Sequence, residues 1–376
     1  MSLLSFNASF VRRLYHKIGG RLRSNPNNRP DRERGDAMLP NEGMSIAVET
    51  ALNSRCTSDY DDDPRNFHWG MFDKNKKLTP DQIQQVLSMA KIPRFTNGAI
   101  EIKSETNTMT FLIDSRLSAL QRDGALVESG MQHQAVGLVC AALGIGYVFS
   151  SLGVEGKAIS ADQFATVRIQ LGAMQPSYNG AYWSTAAPAE IKPWKSGTLP
   201  DPVRQGNKPL IAALARLKTH TDAGKNPSLD DLGQLLWAAR GRTPHYHLSS
   251  PWGMTIPTYH GDEGISEVFV ISDGKVSKYI NWKNNRPTHS LEVVGEFRDD
   301  AGYLPAHQQK SGNSIIVLNR NLSEGRAYWE IGYQLLNLML QAQSLELHYA
   351  ALLLEEHQKI PFQAAGIKDP VAAISL

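Results

Sequence analysis

LVESGMQHQAVGLVCAALGIGYVF, residues 126–149, decides how the chain is read, because it has an echo. Shifted by 202 positions it meets RAYWEIGYQLLNLMLQAQSLELHYA, residues 326–350. Glu128, Gly130, Gln132, Leu138, Leu143 and Tyr147 recur there as Glu330, Gly332, Gln334, Leu340, Leu345 and Tyr349. A second pair runs in the same order: TPDQIQQVLSMA (79–90) matches SLDDLGQLLWAA (228–239), with Asp81, Ile83, Leu87 and Ala90 falling on Asp230, Leu232, Leu236 and Ala239. This offset is 149, so the second copy carries about 53 extra residues between its two helices. Two segments repeated in order are the mark of an internal duplication. The expectation is an α+β chain of two similar tandem domains.

Composition shifts divide the 376 residues into an arm and linker (1–40), a first domain (41–185), a Pro-rich connection with a helix (186–227) and a second domain (228–376). With 41% hydrophobic and 20% charged residues the chain has the make-up of a globular protein with real cores. A net charge of +2 gives no bulk reason to expect nucleic acid. Cys56 and Cys140 lack metal-ligand spacing, and Cys140 sits in an apolar helix; a reducing, cytoplasmic setting fits. No run of about eighteen apolar residues offers a membrane span.

The arm stands apart. Residues 1–36 hold eight Lys or Arg against three acids, and Leu3, Leu4, Phe6, Phe10, Val11, Leu14, Ile18 and Leu22 follow a helical stripe. Such a segment can dock on an anionic membrane surface or a partner protein, resembles a transit peptide, or packs on the body of the protein. The expectation places it outside the duplicated core. Asp59, Asp61, Asp62 and Asp63 lack the alternation of a calcium loop and read as a solvated turn.

Helices are expected within 43–55, from Thr79 with Gln82 as its capping partner, over 126–143, within 210–220, from Ser228 and over 327–345. Strands are expected at AIEIKSE, TMTFLID, YVFSSLG, VRIQLGAMQP, EVFVISDG, KVSKYINW, HSLEVVGEF, SIIVLN, LHYAALLL and VAAISL. The long helix is apolar nearly all round from Ala135 onward, hence buried there. Gly144 and Gly146 end it as caps, not as a dinucleotide fingerprint, since they follow a helix instead of a strand. His245 and His247, two apart in a loop with His260 further on, could share a zinc ion, but no clear set of four ligands is completed, so no metal is expected. No serine sits in a Gly-flanked elbow, which argues against a hydrolase.

A helix opening a domain, a Pro-containing loop into a strand, and a buried helix of the form G-x-Q-x5-L-x4-L-G-x-G resemble the nitroreductase-like flavoproteins. In the second half, SLDDLGQLLWAARG, TIPTYHGDEGISEVFVI, HSLEVV and YWEIGYQLLNLMLQAQSLEL resemble the azoline-dehydrogenase branch, whose members oxidise thiazoline or oxazoline rings in peptide natural products. The resemblance implies two tandem nitroreductase-like domains closed into an intrachain pseudodimer, FMN between the halves, and hydride transfer on a small-molecule or peptide substrate.

Carried over by position, the resemblance implies a site of Arg65, Gly144 and Gly146 from the first half with Pro257, Thr258, Tyr259, His260 and Gly261 from the second. Tyr259 and His260 stand nearest the substrate, and Arg240 and Arg242 are further candidates for the phosphate, which wants an arginine fork. A reciprocal site would use Pro93, Thr96, Asn97 and Gly98 with the turn at Glu346 and His348, where a carboxylate opposes phosphate. One working site at most is expected. The alternative is the same fold without cofactor, kept as a scaffold or protein-binding subunit.

Overall fold

Both halves contain a helix, a strand pair, a long helix and a closing strand pair in that order, with further elements inserted in each. In the first half these are α2 (Pro80–Met89), β1 (Ile100–Glu105), β2 (Thr108–Asp114), α3 (Ala119–Leu143), β3 (Ile145–Ser151), β4 (Lys157–Ser160) and β5 (Gln163–Ala173), preceded by α1 (Val48–Ser54). The connection supplies α4 (Leu210–Ala215) and β6 (His220–Thr221). The second half has α5 (Leu229–Arg240), β7 (Arg242–Thr243), β8 (Gly253–Met254), β9 (Ser266–Ser272), β10 (Lys275–Lys283), β11 (Arg286–Glu296), β12 (Ile315–Arg320), α6 (Arg326–Ser344), β13 (Tyr349–Leu353), α7 (Glu356–Ala364) and β14 (Pro370–Ser375). The computed structural model describes residues 46–54, 78–96, 100–105, 107–143, 145–151, 157–160, 162–173, 198–222, 224–243, 253–257, 265–284, 286–298, 302, 314–322 and 325–376. The fold is α+β.

The two sheets share one strand order. In the first, β1-β2-β5-β3 are neighbours, with β4 beside β5; in the second, the run β9-β12-β14-β13 repeats that order, and every pairing in both runs is antiparallel. The second sheet is longer because the hairpin β10-β11 extends it beyond β9, which accounts for much of the length difference between the two helix offsets. Asp273 and Gly274, at φ 50° and 71°, supply the left-handed pair that a tight β9-β10 hairpin turn needs.

Helix starts follow local chemistry. Thr79 and Gln82 exchange side-chain and backbone hydrogen bonds at the head of α2, and Ser228 and Asp231 do the same at α5, each a capping box. α3 begins at Ala119, about two turns before the expected start at residue 126, and α1 occupies only the C-terminal part of its expected span.

α3 and α6 lie between the sheets and pack on each other, each also covering its own sheet. Their crossing is set by two glycines. A Cβ at Gly130 would land in the backbone of Trp329, and one at Gly332 in the backbone of Val127 and Met131. Under the 202-residue offset Gly130 corresponds to Gly332 and Val127 to Trp329, so the two contacts are the same contact seen from both sides. That reciprocity is how a twofold interface reads.

The second sheet is also covered from outside. Phe362 on α7 joins Phe269, Ile271, Val276, Ile315, Val317, Leu354, Ile367 and Ala373 in a separate cluster. Strand β14 is consequently buried at all six positions. No helix among the described residues is long and apolar enough to cross a membrane.

Candidate functional site

The middle of α3 is polar, yet Glu128, Ser129, Gln132, His133 and Gln134 are all buried. Burying such groups is costly unless each finds a partner. Glu128 Oε1 accepts the backbone N–H groups of Phe95 (2.5 Å) and Thr96 (2.7 Å), and Oε2 faces Arg94 Nη1 at 3.4 Å. Gln132 donates to the Ala90 carbonyl at the end of α2. The glutamate fixes the loop that follows α2, and the glutamine caps that helix.

Glu330, the echo of Glu128, does the parallel work on a larger segment. Its Oε2 accepts from the Ile265 backbone N–H (3.1 Å) and the Ser266 hydroxyl (2.9 Å), and Oε1 lies 3.4 Å from Arg240 Nη1. The Ser266 oxygen also accepts from Arg240 (3.0 Å) and from Gln334 (2.9 Å), filling its capacity of one donor and two acceptors. Burial pushes the Glu330 carboxyl above the usual range, opposed by Arg240, Ser266 and the Ile265 amide. One carboxylate therefore clasps both ends of 241–265, the segment expected to carry the site.

A second clasp sits inside that segment. The Thr255 carbonyl accepts from Gln134 on α3 (3.2 Å) and from Asn337 on α6 (3.2 Å). The two amides are themselves joined, Gln134 Nε2 to Asn337 Oδ1 at 2.9 Å, and Asn337 also holds the Ala238 carbonyl at 2.9 Å. The Thr255 hydroxyl donates to the Trp237 carbonyl. A first-half side chain thus holds second-half backbone two residues before Pro257, which is buried.

The remaining expected site residues fall as follows. Arg240 is closed on Glu330 and Ser266. Arg242 is 4% exposed, with its guanidinium carbon 4.4 Å from the centre of the Trp282 ring. Gly146 is not a cap: it lies within β3, opposite Gly172 of β5, and is absent from the glycines with left-handed φ. The reason is local, since β3 starts at Ile145 as soon as α3 ends. On the reciprocal side, Pro93 precedes the loop held by Glu128, and Thr96 is one of the two residues whose backbone N–H that carboxylate accepts. Glu346 turns at φ 58° and pairs with Lys208 at 2.5 Å, which lowers its pKa. The His348 backbone N–H donates to the Lys225 carbonyl. Arg65, Asn97, Gly98, Gly144, Thr258, Tyr259, His260 and Gly261 lie outside the described residues, as do His245, His247, the acidic patch from Asp59 to Asp63 and the N-terminal arm.

No family model and no curated protein matches the chain. Among solved structures, one described as a "putative nitroreductase" from Anabaena variabilis aligns over 71% of this chain and 68% of its own, with 12% identity and a TM-score of 0.46. At that level the likeness assigns neither substrate nor cofactor.

The described residues offer a flavin nucleotide little. Gly146 and Gly172 pair across β3 and β5, but both are buried, and the buried Pro257 ends the run held at Thr255, so neither presents an open face to a flat ring. Arg240 and Arg242 do not suit its phosphate, because their guanidinium groups are buried against Glu330 and Trp282. Among the described residues no His, Cys, Asp or Glu cluster could hold a metal. Ser129, His133 and Thr166 form a hydrogen-bonded row (2.9 and 3.1 Å), but all three are fully buried, and burial keeps His133 neutral. They are core, not a nucleophilic centre.

The sequence marks Glu330 only as the echo of Glu128, and it assigns no role to Ser266, Asn337 or Gln134. A signal was present: Glu128/Glu330 and Gln132/Gln334 recur at one register of two helices that are buried along most of their length, where only an internal partner justifies a polar residue.

Proposed function

We propose that the chain is a fused pair of nitroreductase-like halves and an FMN-dependent oxidoreductase, with one cofactor site between α3 of the first half and the 253–265 segment of the second. The observation that carries this reading is the Gln134 to Thr255 hydrogen bond, by which one half holds the segment bearing the other half's Pro257. With Arg240 and Arg242 committed inward, the phosphate falls to Arg65, and Tyr259 and His260 are the residues assigned to the substrate. When bound, FMN supplies hydride transfer at N5; the chain supplies orientation, a dry pocket and hydrogen bonds. A small molecule or a ring in a peptide is the proposed substrate class, nucleic acid is not a proposed partner, and the basic arm is the proposed contact for a partner protein or membrane surface. Cytoplasmic location is part of the same proposal, in keeping with a buried, free Cys140 whose thiol burial pushes up.

The second reading, a cofactor-free scaffold, is favoured by the inward commitment of Arg240 and Arg242. Absorption spectroscopy of the full chain, with FMN titration followed by flavin fluorescence, separates the two. The enzyme reading expects one FMN per chain and at least a roughly tenfold loss of affinity in Arg65→Ala, the scale of a charge-assisted hydrogen bond. A colourless protein that leaves added FMN fluorescence unchanged selects the scaffold.

A further inference from the structure

We infer that residues 198–204, in the connection between the halves, form a strap held against the buried His289 of β11, and that acid releases it. The device makes no use of a cofactor and stands whatever the chain binds.

The strap is fastened at two places on the second half. At β11 the Leu199 backbone N–H donates to the His289 carbonyl (3.1 Å), the Thr198 N–H to the Ser290 hydroxyl (3.3 Å), and the Leu291 N–H to the Thr198 hydroxyl (3.0 Å). At α5 the side-chain amide of Gln234 grips Val203 from both sides: its oxygen accepts the Val203 N–H (2.7 Å) and its nitrogen donates to the Val203 carbonyl (2.9 Å). Between the two fastenings strap and histidine meet. A Cβ built on Gly233 of α5 would lie 3.4 Å from His289 Nε2 and 3.5 Å from Cδ and from O of Pro200, so ring and strap converge on one bare point of the helix. Leu199 and Pro202 are buried, while Thr198, Asp201 and Val203 are exposed. A segment held by a few bonds at exposed positions is the kind that opens locally before the rest of the fold. Further on, the Lys208 carbonyl accepts the Val48 N–H of α1 (3.0 Å), so a released strap stays tethered to the first half.

The charge on His289 decides whether the strap fits. The ring is buried and shares a 2.8 Å hydrogen bond with Tyr279 of β10, which burial holds as a neutral phenol. Nothing negative faces it: the strap presents the Arg204 cation, α5 presents only the Gly233 backbone, and beyond Tyr279 stand Arg242 and Arg240. The strap's own acid, Asp201, acts on Arg204. A proton on the ring is therefore a buried charge beside a second cation, costly until the strap lifts and water reaches it. Burial, and then Arg204, hold the pKa down to about 4, whereas a solvated imidazole takes its proton near 6.5. The closed strap binds the proton less readily than the open one, so it is held above about pH 6.5 and increasingly released as pH falls toward 4.

Hydrogen exchange by mass spectrometry on the full chain, corrected for the pH dependence of unprotected amides, tests this in peptides containing Leu199 and Val203. From pH 6.5 to 4.5 the opening of the strap should become at least roughly tenfold more frequent in the wild type, and at pH 4.5 it should be at least roughly tenfold more frequent than the opening of β12. In His289→Gln, which keeps a polar partner for Tyr279 and gains no charge, the same change of pH should alter strap opening by less than about threefold. A wild-type strap that ignores acid, an acid response as large in His289→Gln as in the wild type, or a strap that opens only together with β12 overturns the proposal. Should His289→Gln fail to fold, Arg204→Gln decides: it removes the facing cation and leaves the ring, so its strap should open less steeply with acid, and a slope equal to that of the wild type overturns the proposal.

Discussion

The two halves place a glutamate at the same point of the same helix and use it at different scales. In the first half Glu128 gathers three consecutive residues, Arg94, Phe95 and Thr96, in the short connection between α2 and β1. In the second, Glu330 joins Arg240 to Ile265 and Ser266 across a 25-residue segment. Ordering the ends of a longer loop has a greater entropic cost, though the cost grows slowly with length. The difference teaches that two like helices can carry the same buried, paired anchor on loops of very different length.

The largest expected effect tests the frame on which that comparison stands. Gly130→Ala and Gly332→Ala should each cost about 3 kcal/mol or more, because a methyl at either site meets backbone that cannot rotate away. Urea denaturation of the two variants should give similar losses, since each strikes one side of a reciprocal contact. A severe loss in one and none in the other breaks the equivalence of the halves.

Acid should reveal a titratable group peculiar to the second half. His289 shares a 2.8 Å hydrogen bond with Tyr279 and is 1% exposed. Burial, and then Arg204, hold its pKa down to about 4. Its unfolded value is near 6.5, so the unfolded chain binds the proton first, and stability is lost as pH falls from about 6.5 toward 4. At about 1.4 kcal/mol per unit the loss approaches 3 kcal/mol. His289→Gln, which keeps a polar partner for Tyr279, should be less sensitive than the wild type between pH 6.5 and 4 in the same denaturation measurement. His133 in the first half is also held neutral by burial, so a residual slope should persist.

The smallest effect compares the two helix caps. Thr79→Ala and Ser228→Ala should each cost about 1 kcal/mol in thermal or chemical unfolding. The Ser228 variant should lose more, since Asp231 of that box also binds Lys225 at 2.9 Å and is less exposed. Equal losses would mean that the lysine adds nothing to the cap.

Much of the frame was legible because it is written in periodicity and repetition. The echo located α3 and α6 and, through α2 and α5, where the second half is longer; the runs EVFVISDG and KVSKYINW located the two arms of the β9-β10 hairpin. Helix α7 was missed. Pro361 lies inside it and reads as a breaker, yet the helix is capped by Glu355 with Gln358 and is held by Phe362 in the cluster outside the second sheet. Gly146 follows a helix in the sequence, where glycine usually serves as a cap, whereas in the fold the next strand begins one residue earlier, at Ile145. The site was less legible. Arginines look alike in sequence whether they await a phosphate or are closed on a buried glutamate, and only the fold shows that Arg240 is the latter.

The chain's first described helix has a consequence for how the protein is made. Glu49 on α1 is buried by hydrogen bonds from Gln341 (2.8 Å) and Ser344 (2.8 Å) near the end of α6, residues 292 and 295 positions further along the chain. α3 likewise waits for α6 to cover the face around Gly130. At about 5–20 residues per second, a ribosome needs roughly 15–60 s to travel from Glu49 to Ser344. Until that stretch has been made, neither the Glu49 carboxylate nor the Gly130 face of α3 has the partner that buries it in the folded chain, so these contacts close only when the C-terminal third is present.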